Sequence, residues 1–155
     1  MINLYKSSED TICELAFDEI DKGCWVELIN PSSDELALIT EKTGVYLDFL
    51  TAALDDEERS RIEVEQDQLL ILIDIPLLRS NKDYDTLPLG IIITTDYIIT
   101  VCLEVNAVLA DFSTHNARSF CTFKKTRFLF QILYKSALLY LKYIRNINRR
   151  TDELE

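Results

Sequence analysis

The chain of 155 residues predicts an α/β fold: a mixed parallel/antiparallel sheet with helices on both faces, followed by a long amphipathic C-terminal helix. Three observations carry this. Runs of β-branched and apolar residues alternate with helix-period segments, which places helices over a sheet. Two adjacent β-type runs, 86–94 and 97–103, meet at Thr95-Asp96 and read as a hairpin, so part of the sheet is antiparallel. The last third of the chain carries a polar residue at nearly every third or fourth position, the mark of a helix with one wet face.

Each element follows from its residues. Ile2 to Lys6 alternates weakly and predicts a short strand, and the run 24–29, CWVELI, predicts a second, apolar except for Glu27. A helix begins after Ser32: Ser32 and Glu35 have capping-box spacing, Asp34 and Glu35 suit the positive end of the helix dipole, and Gly44 is placed to end it. A second helix is expected over Tyr46–Glu57, with Leu47, Leu50 and Leu54 as its buried stripe and four acids at its C-terminal end. That end carries the wrong sign for the dipole, which Arg59 and Arg61 partly offset. RIEVEQ, 61–66, alternates strictly and predicts a half-exposed strand with Ile62 and Val64 on one side. LLILIDI, 69–75, does not alternate, which suits a strand covered on both faces, with Pro76 closing it. RSNKDYD, 79–85, reads as a polar loop. Asn106 caps a helix reaching Phe112, with Val108, Leu109 and Phe112 inward. The final helix runs from Lys124 to about Arg150 and would be about 40 Å long, more than a body of this size needs. The boundary falls between 1–122, an α/β domain, and 123–155, the long helix. The wide apolar surface of this helix calls for partners on more than one side. It has no Gly or Pro stop signal, so the natural protein is expected to continue.

Composition narrows the function classes. Hydrophobic residues make up 48% and charged residues 28%, the balance of a folded domain. The net charge is −11, unevenly placed: residues 112–151 hold nine Lys or Arg and no acid, while the rest holds all 27 acids against seven bases. An acidic body disfavours nucleic acid and favours cations. The four cysteines, Cys13, Cys24, Cys102 and Cys121, are widely spaced and read as small buried apolar residues of a reducing compartment. With His115 as the only histidine, placed in a polar stretch, zinc-ligand spacing is absent. There is no phosphate-binding glycine loop and no nucleophile elbow, so the chain is not expected to be an enzyme. The start lacks the pattern of a signal peptide, and no stretch reaches the length and apolarity of a membrane span.

Several stretches resemble one family in its own order. GCWVELINPSSDEL is similar to the W-[IV]-x-[IL]-x-x-P-x-x-x-E-[IL] opening of the CorA family of divalent cation transporters. FLTAALDDEERSRIEVEQDQLLILIDIP resembles its next helix-and-strand block, PLGIIITTDYIITVC its hairpin, and KTRFLFQILYKSALLYLKYIRNINRRTDELE the first of its long helices. The resemblance implies a regulatory domain on the cytoplasmic side of the cell membrane, a pentamer in the full-length protein, and Mg²⁺ or another divalent cation as partner. It also implies a membrane region elsewhere, since the family's Gly-Met-Asn pore signature cannot occur when Met1 is the only methionine. A zinc-transporting relative, or a domain that binds another protein through its long helix, are the alternatives.

The family's regulatory acidic pair falls on Thr51 and Ala52 here. One turn further, Asp55, Asp56 and Glu58 are the metal candidates, because Mg²⁺ takes hard carboxylate oxygens.

Overall fold

The computed structural model describes residues 1–8, 11–80, 83–114 and 120–154. Seven strands form one sheet: β1 (Ile2–Ser8), β2 (Thr11–Leu15), β3 (Trp25–Ile29), β4 (Arg61–Glu65), β5 (Gln68–Leu78), β6 (Tyr84–Ile93) and β7 (Ile98–Cys102), in the order β2-β1-β3-β7-β6-β5-β4. Only β3 and β7 are parallel; every other neighbouring pair is antiparallel. Helices α1 (Ser33–Thr43) and α2 (Leu47–Ala52) cover one face, and α3 (Ala107–Ala110) with α4 (Lys125–Leu154) cover the other. The expected mixed sheet with helices on both faces and a long final helix is the observed architecture.

Strand alternation divides the core. In β7, Ile98 and Cys102 point towards α3 and α4 with Trp25, Ile75 and Leu89, while Ile99 and Val101 point towards α1 and α2 with Val26, Leu70 and Leu72. The α4 side holds an aromatic nest. Phe128 lies 5.0 Å from Trp25, 5.1 Å from Phe112 and 4.4 Å from Phe120, all near edge-to-face. Trp25 is fully buried and its indole N–H donates to the Thr100 hydroxyl at 2.9 Å. A reciprocal clasp, Thr122 N–H to Ser7 Oγ at 2.8 Å and Ser7 N–H to Thr122 Oγ1 at 3.1 Å, ties the chain entering α4 to β1.

The helix caps stand as expected: Ser32 and Glu35 form a capping box, Gly44 ends α1 at φ 72°, and Asn106 Oδ1 accepts from Leu109 N–H at 3.0 Å. Other expectations are corrected. Strand β2 was not anticipated, because its residues show no clean alternation. Pro76 does not end β5, which runs on to Leu78, and β6 already begins at Tyr84 within the expected loop. β4 covers β5 only as far as Leu72, so Pro76 lies where β5 has a single neighbour and a missing N–H is tolerated. Pro88 likewise lies just past the end of β7 on β6. Helix α3 stops at Ala110, although Phe112 is buried as expected. Cys24 and Cys102 are buried, whereas Cys13 is exposed and Cys121 half-buried, because both sit where the sheet edge and the α4 lead-in meet solvent. His115 lies outside the described residues.

Helix α4 has two apolar faces. Phe128, Ile132, Ser136 and Tyr143 are buried against the sheet. On the opposite side Phe130, Tyr134, Leu138, Leu141 and Ile144 are exposed, at four- and three-residue steps. The Tyr140 hydroxyl donates to the Asp74 carbonyl at 2.9 Å, and Lys135 pairs with Asp111, so the middle of the helix is held at both flanks.

Candidate functional site

The acidic stretch after α2 is the first place to look for cation chemistry. Helix α2 ends at Ala52, not Glu57, and the acids lie in the turn beyond it. The helix is short because its buried residues are Phe49, Leu50 and Ala52; Leu47 is 47% exposed and supplies no stripe. The mismatch of four acids with a helix C-terminus therefore does not arise. Asp55 folds the turn: its Oδ1 accepts from Glu57 N–H at 3.0 Å and its carbonyl from Glu58 N–H at 3.2 Å. Glu58 points to Arg61, 2.6 Å away, and Arg61 also reaches Glu63 at 3.2 Å. Asp56 is exposed.

Of the three candidate ligands, Asp55 and Asp56 thus present carboxylates to water, while Glu58 is partly neutralised by a guanidinium. Among the described residues no group of three or more His, Cys, Asp or Glu side chains is placed to hold a metal ion. Thr51 is exposed and bonds back to the Asp48 carbonyl, and Ala52 is packed into the core. The two positions that the sequence resemblance marks as acidic carry no ligand here.

Sequence reasoning passed over a second acid, Glu27. It sits on β3 between Trp25 and Ile29, only 7% exposed, and its Oε2 accepts from Asn3 Nδ2 at 2.9 Å and from the Tyr5 hydroxyl at 3.5 Å. The signal was present: it is the single acid in an apolar β run. Burial raises its pKa above the ordinary carboxyl value of 4.5, the Asn3 and Tyr5 hydrogen bonds oppose this, and Glu14 adds to it. Burial and the Glu27 charge push Tyr5 up to about 12. A carboxyl whose pKa is raised by folding stabilises the fold fully below its unfolded pKa, and that contribution is lost as pH rises through the folded value. Glu27→Gln should remove this pH dependence. Urea midpoints of the native protein should fall from about pH 4.5 upwards relative to those of Glu27→Gln; parallel pH profiles of the two proteins would refute the assignment.

Two concavities elsewhere are modest. An apolar groove of about 470 Å³ runs between α4 and the β5–β6 hairpin, lined by Pro76, Tyr84, Tyr140 and Tyr143. A polar one of about 280 Å³ lies at the far end of the sheet among Thr43, Gln66, Asp67, Thr94 and Asp96. Neither gathers a nucleophile, a base and an oxyanion donor. No helix among the described residues is long and apolar enough to cross a membrane.

Comparison with known proteins accords with this geometry. The chain is 26% identical over 156 residues to the cobalt/magnesium transport protein CorA of Methanocaldococcus jannaschii, covering 95% of this chain and 47% of that protein, so it spans about half the length of this curated relative. The complete structure of the CorA magnesium transporter from the same organism superposes with a TM-score of 0.83 at 22% identity, over 99% of this chain and 50% of that one. The soluble domain of that transporter gives 0.76 at 23% identity, covering 99% and 62%. The cytoplasmic domain of ZntB from Vibrio parahaemolyticus gives 0.79 at 14% identity, covering 99% and 64%. At these identities the structures speak for the fold alone. The model of the CorA-like Mg²⁺ transporter proteins matches residues 21–155, which hold five of the seven strands and all of α4, and the chain therefore belongs to that family of transporters, not to an enzyme family.

Proposed function

We propose that this chain is the cytoplasmic regulatory domain of a CorA-like Mg²⁺ transporter whose pore lies in a part of the protein outside this sequence. The observation that carries the reading is the family match over residues 21–155 on a fold with no catalytic constellation among the described residues. Helix α4 has one face still uncovered, as suits an element of a larger assembly of several copies. In this reading cytosolic cation, held between acidic surfaces of neighbouring copies, favours the closed state; loss of cation lets like charges repel and frees the pore. The acidic body, −20 outside the basic segment 112–151, is what such a device requires. The gene encoding the complete protein should restore growth of a Mg²⁺-requiring strain without supplement. Absence of rescue at normal expression would refute the transport function.

A second reading, zinc transport on the same fold, draws on the likeness to the ZntB domain. Radiotracer uptake of the two ions by the full-length protein separates them: preference for zinc would displace the Mg²⁺ reading.

Within the domain, the exposed carboxylates of Asp55 and Asp56, with Glu58 beside them, are the proposed place of weak, largely water-mediated Mg²⁺ association. Removing both charges by Asp55→Asn with Asp56→Asn should weaken Mg²⁺ binding by about tenfold or more, since two unit charges near 4 Å interact by about 1 kcal/mol in water, two carboxylates are lost and the ion is divalent. Calorimetric titrations that match the native protein would take these residues out of the proposal.

A further inference from the structure

Strand β4 closes one edge of the sheet, and it is exposed on both faces. Ile62 is 72% and Val64 69% exposed, although the strict alternation of this strand implies a covered side. Both point to the same face as their cross-strand partners Ile71 and Leu69, which pack in the core beneath α4; the helix does not reach as far as β4.

Among the described residues, the backbone of β4 is equally without a partner on its outer side. Glu65 and Gln68 are paired across the two-residue loop Gln66-Asp67, so they form a hydrogen-bonded pair of the hairpin. Counting back, Glu63 and Arg61 also turn their N–H and C=O groups inward to β5, and Ile62 and Val64 turn theirs outward. The open edge therefore offers two residues whose side chains and backbone groups all lack cover.

We infer that β4 pairs antiparallel with β4 of a second copy of this chain, in the register that sets Ile62 against the partner's Ile62. Hydrogen bonding requires an outward residue at the symmetry centre of such a register, or at the positions flanking it, which leaves registers centred on Ile62 or on Glu63 as the compact choices. Charge decides between them. Centring on Glu63 sets two glutamates directly opposite in a close, non-hydrogen-bonded pair, which is destabilising. Centring on Ile62 sets Arg61 against the partner's Glu63 and Arg59 against the partner's Glu65, twice over by symmetry. The exposed arginines and glutamates of this stretch, which as single-chain features make only surface ion pairs, become a complementary set. On the other face the two Ile62 side chains meet, flanked by Val64 of each copy. Pairing ends near Arg59, because the Asp55–Glu58 turn leads the chain away from the edge. Each copy uses its β4 once, so the contact closes at two chains and leaves the other faces of the domain available for a ring-like assembly.

Sedimentation equilibrium at ~0.15 M salt, where general repulsion between two chains of charge −11 is screened beyond about 8 Å, tests this. The native chain should show a concentration-dependent monomer–dimer equilibrium. Ile62→Lys, at an exposed site that leaves the monomer folded, should raise the dimer Kd about tenfold or more, and Arg61→Glu should do the same by facing four acids together. The double exchange Arg61→Glu with Glu63→Arg restores opposite charges in the Ile62-centred register and should recover the native Kd. A native chain that stays monomeric at millimolar concentration would overturn the inference. So would a dimer indifferent to Ile62→Lys but lost on Phe130→Glu with Tyr134→Glu, which would place the contact on α4. Growth beyond two copies that Ile62→Lys abolishes would mean that β4 pairs with the other edge strand, β2, and would overturn it too.

Discussion

Phe128→Ala should destabilise the protein by about 3–5 kcal/mol, the range for emptying a fully buried aromatic site. Phe128 is the point where α4 is inserted into the sheet. Its ring contacts Trp25 on β3, Phe112 after α3 and Phe120 before α4, so one truncation opens a cavity shared by four segments. Alanine is the better helix former, so any helix-propensity effect runs the other way and the loss sets a lower bound on the packing contribution. Trp25, the single tryptophan, reports directly: its buried indole lies beside the cavity, and its emission should shift to the red at a lower urea concentration than in the native protein. With slopes of about 1–3 kcal/mol/M, the midpoint should fall by more than about 1 M. Phe130→Ala, two residues along on the exposed face, should change stability by less than about 0.5 kcal/mol. Equal effects at the two positions would show that α4 is seated the other way round.

Gly90→Val should also be strongly destabilising, by about 2–3 kcal/mol through overpacking, against the trend that valine favours strands and glycine weakens them. Gly90 lies in the middle of β6, where an added Cβ would come 3.0 Å from the Cβ of Ala53 and 3.8 Å from that of Val101. The small residue lets the end of α2 rest directly on the sheet. Gly90→Ala should be milder, and pairing it with Ala53→Gly should recover most of its loss, because the clash is between those two methyl groups. Circular dichroism melts of the four proteins check this; strictly additive single effects would mean that the contact is not the cause. Since α2 leads straight into the Asp55–Glu58 turn, the same contact sets where those carboxylates stand.

Much of the architecture was legible in the chain. The Ser32–Glu35 box, Gly44 and Asn106 identified helix ends because capping is a local transaction among residues three or four apart. The unbroken apolar run of β5 and the Thr95-Asp96 turn located buried strands for the same reason. Less legible were features that depend on neighbours. The Tyr46–Glu57 helix was drawn too long because Leu54 fits the helical period and packs on the core, yet Asp55, Asp56 and Glu57 beyond it are exposed and have no side to bury in another turn. Pro76 read as a stop because a proline is excluded from a strand with two partners, and β5 has one there. Of the candidate site, the residue types were legible and the geometry was not: Asp55 bonds within its own turn and Glu58 meets Arg61, neither of which spacing reveals.

The sequence by itself determined the class of the fold, most of its elements and the family, because periodicity, caps and ordered motifs are local properties of the chain. Only the tertiary structure decided which apolar faces are covered. Phe128 and Phe130 stand two residues apart on the same helix, one enclosed and the other in water, and Ile62 and Val64 alternate like a covered strand with nothing above them. Alternation states that a face is apolar; what lies against it depends on where distant segments pack, and burial is a property of that packing.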